Sequence, residues 1–326
     1  MGRKFSTLSC LEAGLCLSSA IFCLQPGGSR TTPVRIPQFR KLHADLGPGK
    51  EMEGKSILEQ LLAMASDVEG SALLVFAHPD DESVALGARL HRLRSPLLVH
   101  VTDGAPRNLE DSTAHGFRSL ADYRRHRESE LSCALKLAGL EKAKRVRFGI
   151  PDQEACLCLQ PLTRDLRRLL LRHRPAIVFT HPYEGGHPDH DACAFAAHRA
   201  VAALQASGRK PPVIIEATFY HSAYDGMATG RFLPHPQQTD EICLTLTEDE
   251  RRRRQALLAC FPSQHDILRR FPADQECFRI APRYDFFHPP HTPPVFYDQH
   301  PWGMTSQRFC ELAREADALD GETTAA

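Results

Sequence analysis

His78-Pro79-Asp80-Asp81-Glu82 puts an imidazole and three adjacent carboxylates into one short stretch, and His187-Pro188-Asp189-His190 brings imidazoles and a carboxylate together again further along the chain. Three carboxylates in a row repel one another, so a plain loop gains nothing from them unless a cation or a helix N-terminus offsets the charge. Taken alone, the first group reads equally well as the acidic first turn of a helix running from Ser83 to Leu93. The second group decides for a metal. His78, Asp81 and His190 make two imidazoles and one carboxylate with coordination positions left open, the donor set of a catalytic zinc. The same set serves non-heme Fe(II) in oxygenases, so Fe2+ or another divalent metal is the alternative to Zn2+.

Side chains so far apart in sequence meet only if strands bring them to one edge of a sheet. Ala72 to Ala77 is small and apolar without polar alternation, the pattern of a central parallel strand covered on both faces, and Ala176 to Thr180 repeats it. Each runs directly into one of the two polar groups, and in open α/β sheets ligands bind beyond the carboxyl ends of the strands. Pro96–Thr102, Val146–Gly149 and Val213–Phe219 read as further strands. Leu120–Leu137, Pro161–His173, Asp191–Ala200 with Pro188 at its first position, Thr247–Cys260 and Ser306–Leu319 read as helices. Repeated βα units predict a Rossmann-like, doubly wound, mostly parallel sheet, with an irregular C-terminal cap over Pro282–Trp302. No Gly-x-Gly-x-x-Gly follows any strand, so nothing supports a dinucleotide. Gly104 to Gly116 reads as a mobile lid or a long surface loop.

Composition excludes other classes. The 40 basic and 40 acidic residues balance, so no global field recruits nucleic acid or an anionic membrane surface, and no apolar run is long enough for stable membrane insertion. Eleven cysteines without a Cys-x-x-Cys pair read as free thiols in a reducing, cytoplasmic compartment, with Cys133, Cys193 and Cys260 as core packing. Residues 1–51 read as a disordered leader, a weak export signal within 1–30, or sequence upstream of a true start at Met52. A single domain then spans 52–320, beginning with an amphipathic helix within Lys55–Val68, and 321–326 form a tail.

The chain resembles the PIG-L/LmbE family of zinc-dependent N-acetylglucosaminyl deacetylases. Ala-His-Pro-Asp-Asp-Glu after the first strand and His-Pro-Asp-His after a later one carry the likeness. Thr102-Asp103-Gly104, Arg127-Glu-Ser-Glu-Leu131, Phe148-Gly-Ile-Pro-Asp152 and Ser263-Gln264 extend it. The resemblance implies zinc at His78, Asp81 and His190 and Asp80 as general base. Asp80 also suits that role because its neighbour Asp81 is occupied by the cation. At the family's matching positions His187 would stabilise the oxyanion and protonate the leaving amine, with Asp189 orienting its ring. Arg127 would hydrogen-bond sugar hydroxyls or a neighbouring anion, and Asp103 would contact substrate. Some members place a tyrosine two residues before that histidine; here the position is Gly185, and Tyr183 takes the role only if its loop bends back. The implied substrate is a small-molecule amino-sugar conjugate. A sugar-binding module without catalysis is the competing reading, to which an intact Asp80 and His187 are superfluous.

Overall fold

The computed structural model describes residues 72–324 apart from 225 and 238–240. The readings for 1–51, Met52 and Lys55–Val68 lie outside the described residues. In chain order the elements are β1 (Ala72–Phe76), α1 (Asp81–Leu86), β2 (Leu97–Thr102), α2 (Glu110–Ala114), α3 (Leu120–Leu137), β3 (Lys144–Ile150), α4 (Leu159–His173), β4 (Ile177–Thr180), α5 (Pro188–Ala206) and β5 (Val213–Ala217). They continue with β6 (Tyr220–Ala223), β7 (Gly226–Thr229), β8 (Glu241–Thr245), α6 (Glu248–Leu258), α7 (His265–Leu268), β9 (Gln275–Ile280) and α8 (Ser306–Thr324).

Seven strands form one sheet in the order β3-β2-β1-β4-β5-β9-β8, and β6 and β7 make a separate hairpin. β1 through β5 pair in parallel, whereas β9 is antiparallel to both β5 and β8. The fold is the expected mostly parallel α/β sheet. Successive residues of β1 enter opposite cores: Leu73, Val75 and Ala77 pack with α4, α5 and α8, while Ala72, Leu74 and Phe76 pack with α1, α3 and α6. Strand side chains alternate between faces, and helices cover both, so a run with no polar residue is what this position requires. Leu73, Leu74, Val75 and Phe76 are each at most 1% exposed, and burying such a side chain stabilises the fold by ~1.5–3 kcal/mol. The chain leaves β1 toward β2 on one side, and β4 lies on the other, so a topological switch point falls between β1 and β4.

Several local expectations need correction. The helix read from Ser83 to Leu93 stops at Leu86, with a separate 3-10 turn at Leu90–Arg92. Its continuation is diverted because the Ala88 N–H donates to the Glu276 carboxylate at 2.7 Å, while the buried Arg89 guanidinium pairs with Glu250 and Glu276. The stretch from Gly104 to Gly116 contains the short helix α2. Cys243 and Cys277, opposite each other on β8 and β9, form a disulfide, so the reading of every cysteine as a free thiol fails at this pair. Cys193 is buried as expected, but Cys133 is exposed and Cys260 half-buried, their sulfurs 3.2 Å apart. Among the described residues no helix is long and apolar enough to cross a membrane.

Candidate active site

β1 and β4 are neighbours and parallel, so the two polar groups leave the sheet side by side. The first closes on itself: the His78 N–H donates to Asp81 Oδ2 at 2.7 Å, and the Ser83 and Val84 N–H groups donate to the Asp80 carbonyl to start α1. The second is a helix start. His187 caps α5, its Nδ1 accepting from the Asp189 N–H at 3.2 Å, with Pro188 in the first turn where no N–H is needed. Gly186 is required by a close approach, since a Cβ there would lie 2.0 Å from the Tyr220 carbonyl oxygen.

The outcome is a buried cluster of imidazoles and carboxylates. Ring nitrogens of His78, His187 and His190 all lie within 4.8 Å of one another, and Asp81, His181 and His190 converge equally closely. Asp81 joins the two halves, with Oδ2 3.4 Å from His78 Nδ1 and Oδ1 3.5 Å from His190 Nε2. The expected donors His78, Asp81 and His190 are thus neighbours, with His187 beside them. Their chemistry fits a divalent cation. Burial, reinforced by neighbouring imidazoles, lowers His187 and His190 to about 3, so both rings are neutral and each keeps an unprotonated nitrogen. Burial alone would raise Asp81, but His181 and His190 overcome it and hold the carboxylate well below its usual range. Burial likewise opposes a charge on His78, yet the Asp152, Asp189 and Asp81 carboxylates around it raise its pKa well above normal. A cation would neutralise the same excess of buried negative charge.

Asp80 stands beside this cluster without being drawn into it. Its Oδ2 accepts from Arg127 Nη2 at 3.0 Å, and Arg127, only 2% exposed, also reaches Glu130 at 3.3 Å and the Ser263 hydroxyl at 3.4 Å. Glu130 in turn accepts from the Ser263 N–H at 2.8 Å and its hydroxyl at 2.6 Å. Burial dominates the titration of Asp80 and raises it to about 7, with Arg127 opposing and Asp81 assisting.

Other expected residues sit differently from their sequence reading. Of the two expected partners of Arg127, a sugar or a neighbouring anion, the enclosed guanidinium takes the anion, Asp80. The Tyr183 hydroxyl donates to the His288 carbonyl at 3.0 Å, and its ring packs against Phe286 and Phe309. It is turned into the core, away from any oxyanion. The Asp189 carboxylate accepts from the Gln153 and Ala155 N–H groups at 2.6 and 2.9 Å and its Oδ2 lies 3.9 Å from His187 Nδ1, while the hydrogen bond to that nitrogen comes from the Asp189 backbone N–H. Asp103, at the end of β2, is held by Arg124 at 2.5 Å and the Ala105 N–H at 3.0 Å.

Two members of the cluster had no assigned role in the sequence reading. Asp152 Oδ1 lies 3.1 Å from His78 Nε2, and the signal for it was the Gly-Ile-Pro-Asp turn ending β3. His181 stacks on His190 at 3.9 Å, and its Nε2 receives the Ala77 N–H at 3.0 Å. That nitrogen is thereby committed to the backbone, and the ring braces His190. Its signal was its place directly after β4.

No curated protein matches the chain. Among solved structures, the zinc-inhibited form of teicoplanin deacetylase Orf2 superposes with a TM-score of 0.51 at 16% identity, covering 66% of this chain and 99% of that one. The deacetylase–bog complex of the teicoplanin biosynthesis pathway gives 0.51 at 17%, with the same coverage. At such identities the shared property is the fold. The sequence itself is more specific: residues 73–201, which hold every histidine and aspartate of the cluster, match the family model PIG-L, GlcNAc-PI de-N-acetylase.

Proposed function

We propose that the protein is a metal-dependent hydrolase that removes the acetyl group from an N-acetylglucosamine-type conjugate. The observation that carries this reading is Asp80, a buried carboxylate fixed by Arg127 beside, and not within, a cluster of imidazoles and carboxylates. The PIG-L match supports the same chemistry.

His78, Asp81 and His190 would hold the cation, with His181 bracing His190. A bound divalent ion of the zinc type supplies Lewis acidity, polarising an acetyl carbonyl and making water acidic enough to lose a proton near pH ~7. Asp80 has one oxygen tied to Arg127, and its other oxygen is the acceptor for that proton. His187 uses Nδ1 to accept the Asp189 N–H, which places its proton on Nε2. That N–H is the donor available to the developing oxyanion, and the proton that Asp80 takes from water is the one delivered to the departing amine, so His187 stays neutral throughout. Tyr183, bonded to His288, supplies nothing to this step.

The test is release of free amine from a panel of N-acetylglucosamine conjugates by zinc-loaded protein, before and after chelation. Chelator-sensitive release from at least one conjugate is expected. Sugar binding without release across the panel would favour a binding module instead.

A further inference from the structure

One side of the cluster is walled by aromatic rings from outside the PIG-L match. The Trp302 ring lies 4.7 Å from that of His187, and His300 stacks on Trp302 at 4.6 Å with the planes 24° apart. Phe296 follows at 4.4 Å from His300, and Tyr220 closes the circuit, 5.4 Å from Phe296 and 5.5 Å from His190. The wall is built into the fold. The Phe296 N–H donates to the Gly185 carbonyl at 2.9 Å, and Val295 packs so closely over Gly185 that a Cβ there would meet it at 2.6 Å. Asp298 fastens the segment, accepting from the Val295 N–H at 2.8 Å and the Ser306 N–H at 2.6 Å. Yet Phe296, His300 and Trp302 are only half-buried, whereas rings serving the core, such as Phe219 and Phe309, are 1% exposed or less.

We propose that Trp302, with His300 and Phe296, forms a subsite for the C–H face of a pyranose ring bound next to His187. Large apolar rings retained at the surface in sequence beside a reaction centre favour a flat ligand face. The margins of this wall are not hydrocarbon: indole and imidazole each carry N–H or nitrogen acceptors. A sugar ring, apolar on one face and hydroxylated at its rim, matches both features, whereas an acyl chain would match only the first. Trp302 adjoins His187 directly, so the ring it contacts is the one bearing the acetamido group, and His300, stacked between Trp302 and Phe296, backs the indole. The identity of that ring rests on the deacetylase reading; the presence of a sugar-binding wall does not.

Trp302 is the single tryptophan of the chain, so its intrinsic fluorescence reports this site alone. Titration of the zinc-loaded full chain with N-acetylglucosamine, and separately with glucosamine, is expected to change the emission saturably. Trp302→Ala is expected to raise the KM for an N-acetylglucosaminyl substrate by at least about tenfold more than for the ringless N-acetylethanolamine, and Trp302→Phe to recover most of that loss. Unchanged emission at sugar concentrations that saturate turnover overturns the subsite. Equal effects of Trp302→Ala on both substrates also overturn it, because Trp302 would then act only by supporting His187. A saturable emission change without any amine release leaves the subsite standing and removes the deacetylase reading.

Discussion

Replacing Arg127 by leucine tests whether the guanidinium is the support of Asp80. Arg127 is 2% exposed and serves two carboxylates, Asp80 at 3.0 Å and Glu130 at 3.3 Å. Removing one partner of a buried ion pair costs ~3–5 kcal/mol, because the charge left behind is uncompensated. The loss falls unequally. Glu130 keeps the N–H and hydroxyl of Ser263, whereas the side-chain hydrogen bond made by Asp80 goes to Arg127. Arg127→Leu should therefore lower stability by ~4 kcal/mol. At ~2–4 °C per kcal/mol for a domain of this size, the unfolding midpoint falls by about 10 °C. Asp80→Asn alone removes the carboxylate charge but keeps an acceptor for Arg127, at a cost of ~1 kcal/mol. In the Arg127→Leu background the same change removes the orphaned charge, so the double variant should be more stable than Arg127→Leu by ~1–2 kcal/mol. Urea unfolding of the four proteins closes the cycle. Additivity within ~0.5 kcal/mol, or a double variant weaker than Arg127→Leu, would refute the assignment of Arg127 as partner of Asp80.

Asp80→Asn should retain zinc while turnover falls by ~10²–10⁴, and His190→Ala should lose both; metal content and amine release measured on each variant check the division between base and ligand. Gly186→Ala drives a Cβ to 2.0 Å from the Tyr220 carbonyl, so it should cost at least ~1–3 kcal/mol and displace His187, seen as a lowered midpoint together with slower amine release. Burial raises Glu184 to about 8 against the opposing charge of Arg279. A carboxylate raised on folding contributes stability that is complete below ~4.5 and lost as pH climbs through about 8. Thermal stability should accordingly fall as pH rises from ~4.5 to about 8 and level off above it, and Glu184→Gln should flatten that slope; an unaltered slope would show that Glu184 is not its source.

The metal-ligand candidates were legible because they fall in two short polar clusters, each beginning where an apolar strand ends, a position that sheet geometry alone marks. The helix from Leu120 to Leu137 was legible too, but the place of Arg127 on it was not. Its basic neighbours make the whole face look solvated, and only packing of Ser263 and Glu130 around the guanidinium reveals that Arg127 is enclosed. Asp152 and His181 were visible as residues at strand ends, yet their roles depend on distances across the sheet. Tyr183 misled because proximity in sequence to His187 says nothing about which way a loop turns. The antiparallel β8 and β9, with Cys243 facing Cys277, were missed because β8 is a half-exposed edge strand and the buried β9 carries Glu276 and Arg279, so neither has the dense apolar run of the central strands. The aromatic wall was legible only as an irregular segment near the site, since its meaning comes from Gly185 and His187, contributed by a distant part of the chain.

That division of labour orders events during synthesis. The strands β1 to β5, and every imidazole and carboxylate of the cluster, are encoded by residue 217, while the wall begins at Phe296. Roughly 80 residues separate the two, which at ~5–20 residues per second is on the order of 4–16 s of elongation. During that interval the nascent chain already carries the cation donors but not the rings that later flank them. The donors a cation would need are thus synthesised before the rings proposed to face the substrate.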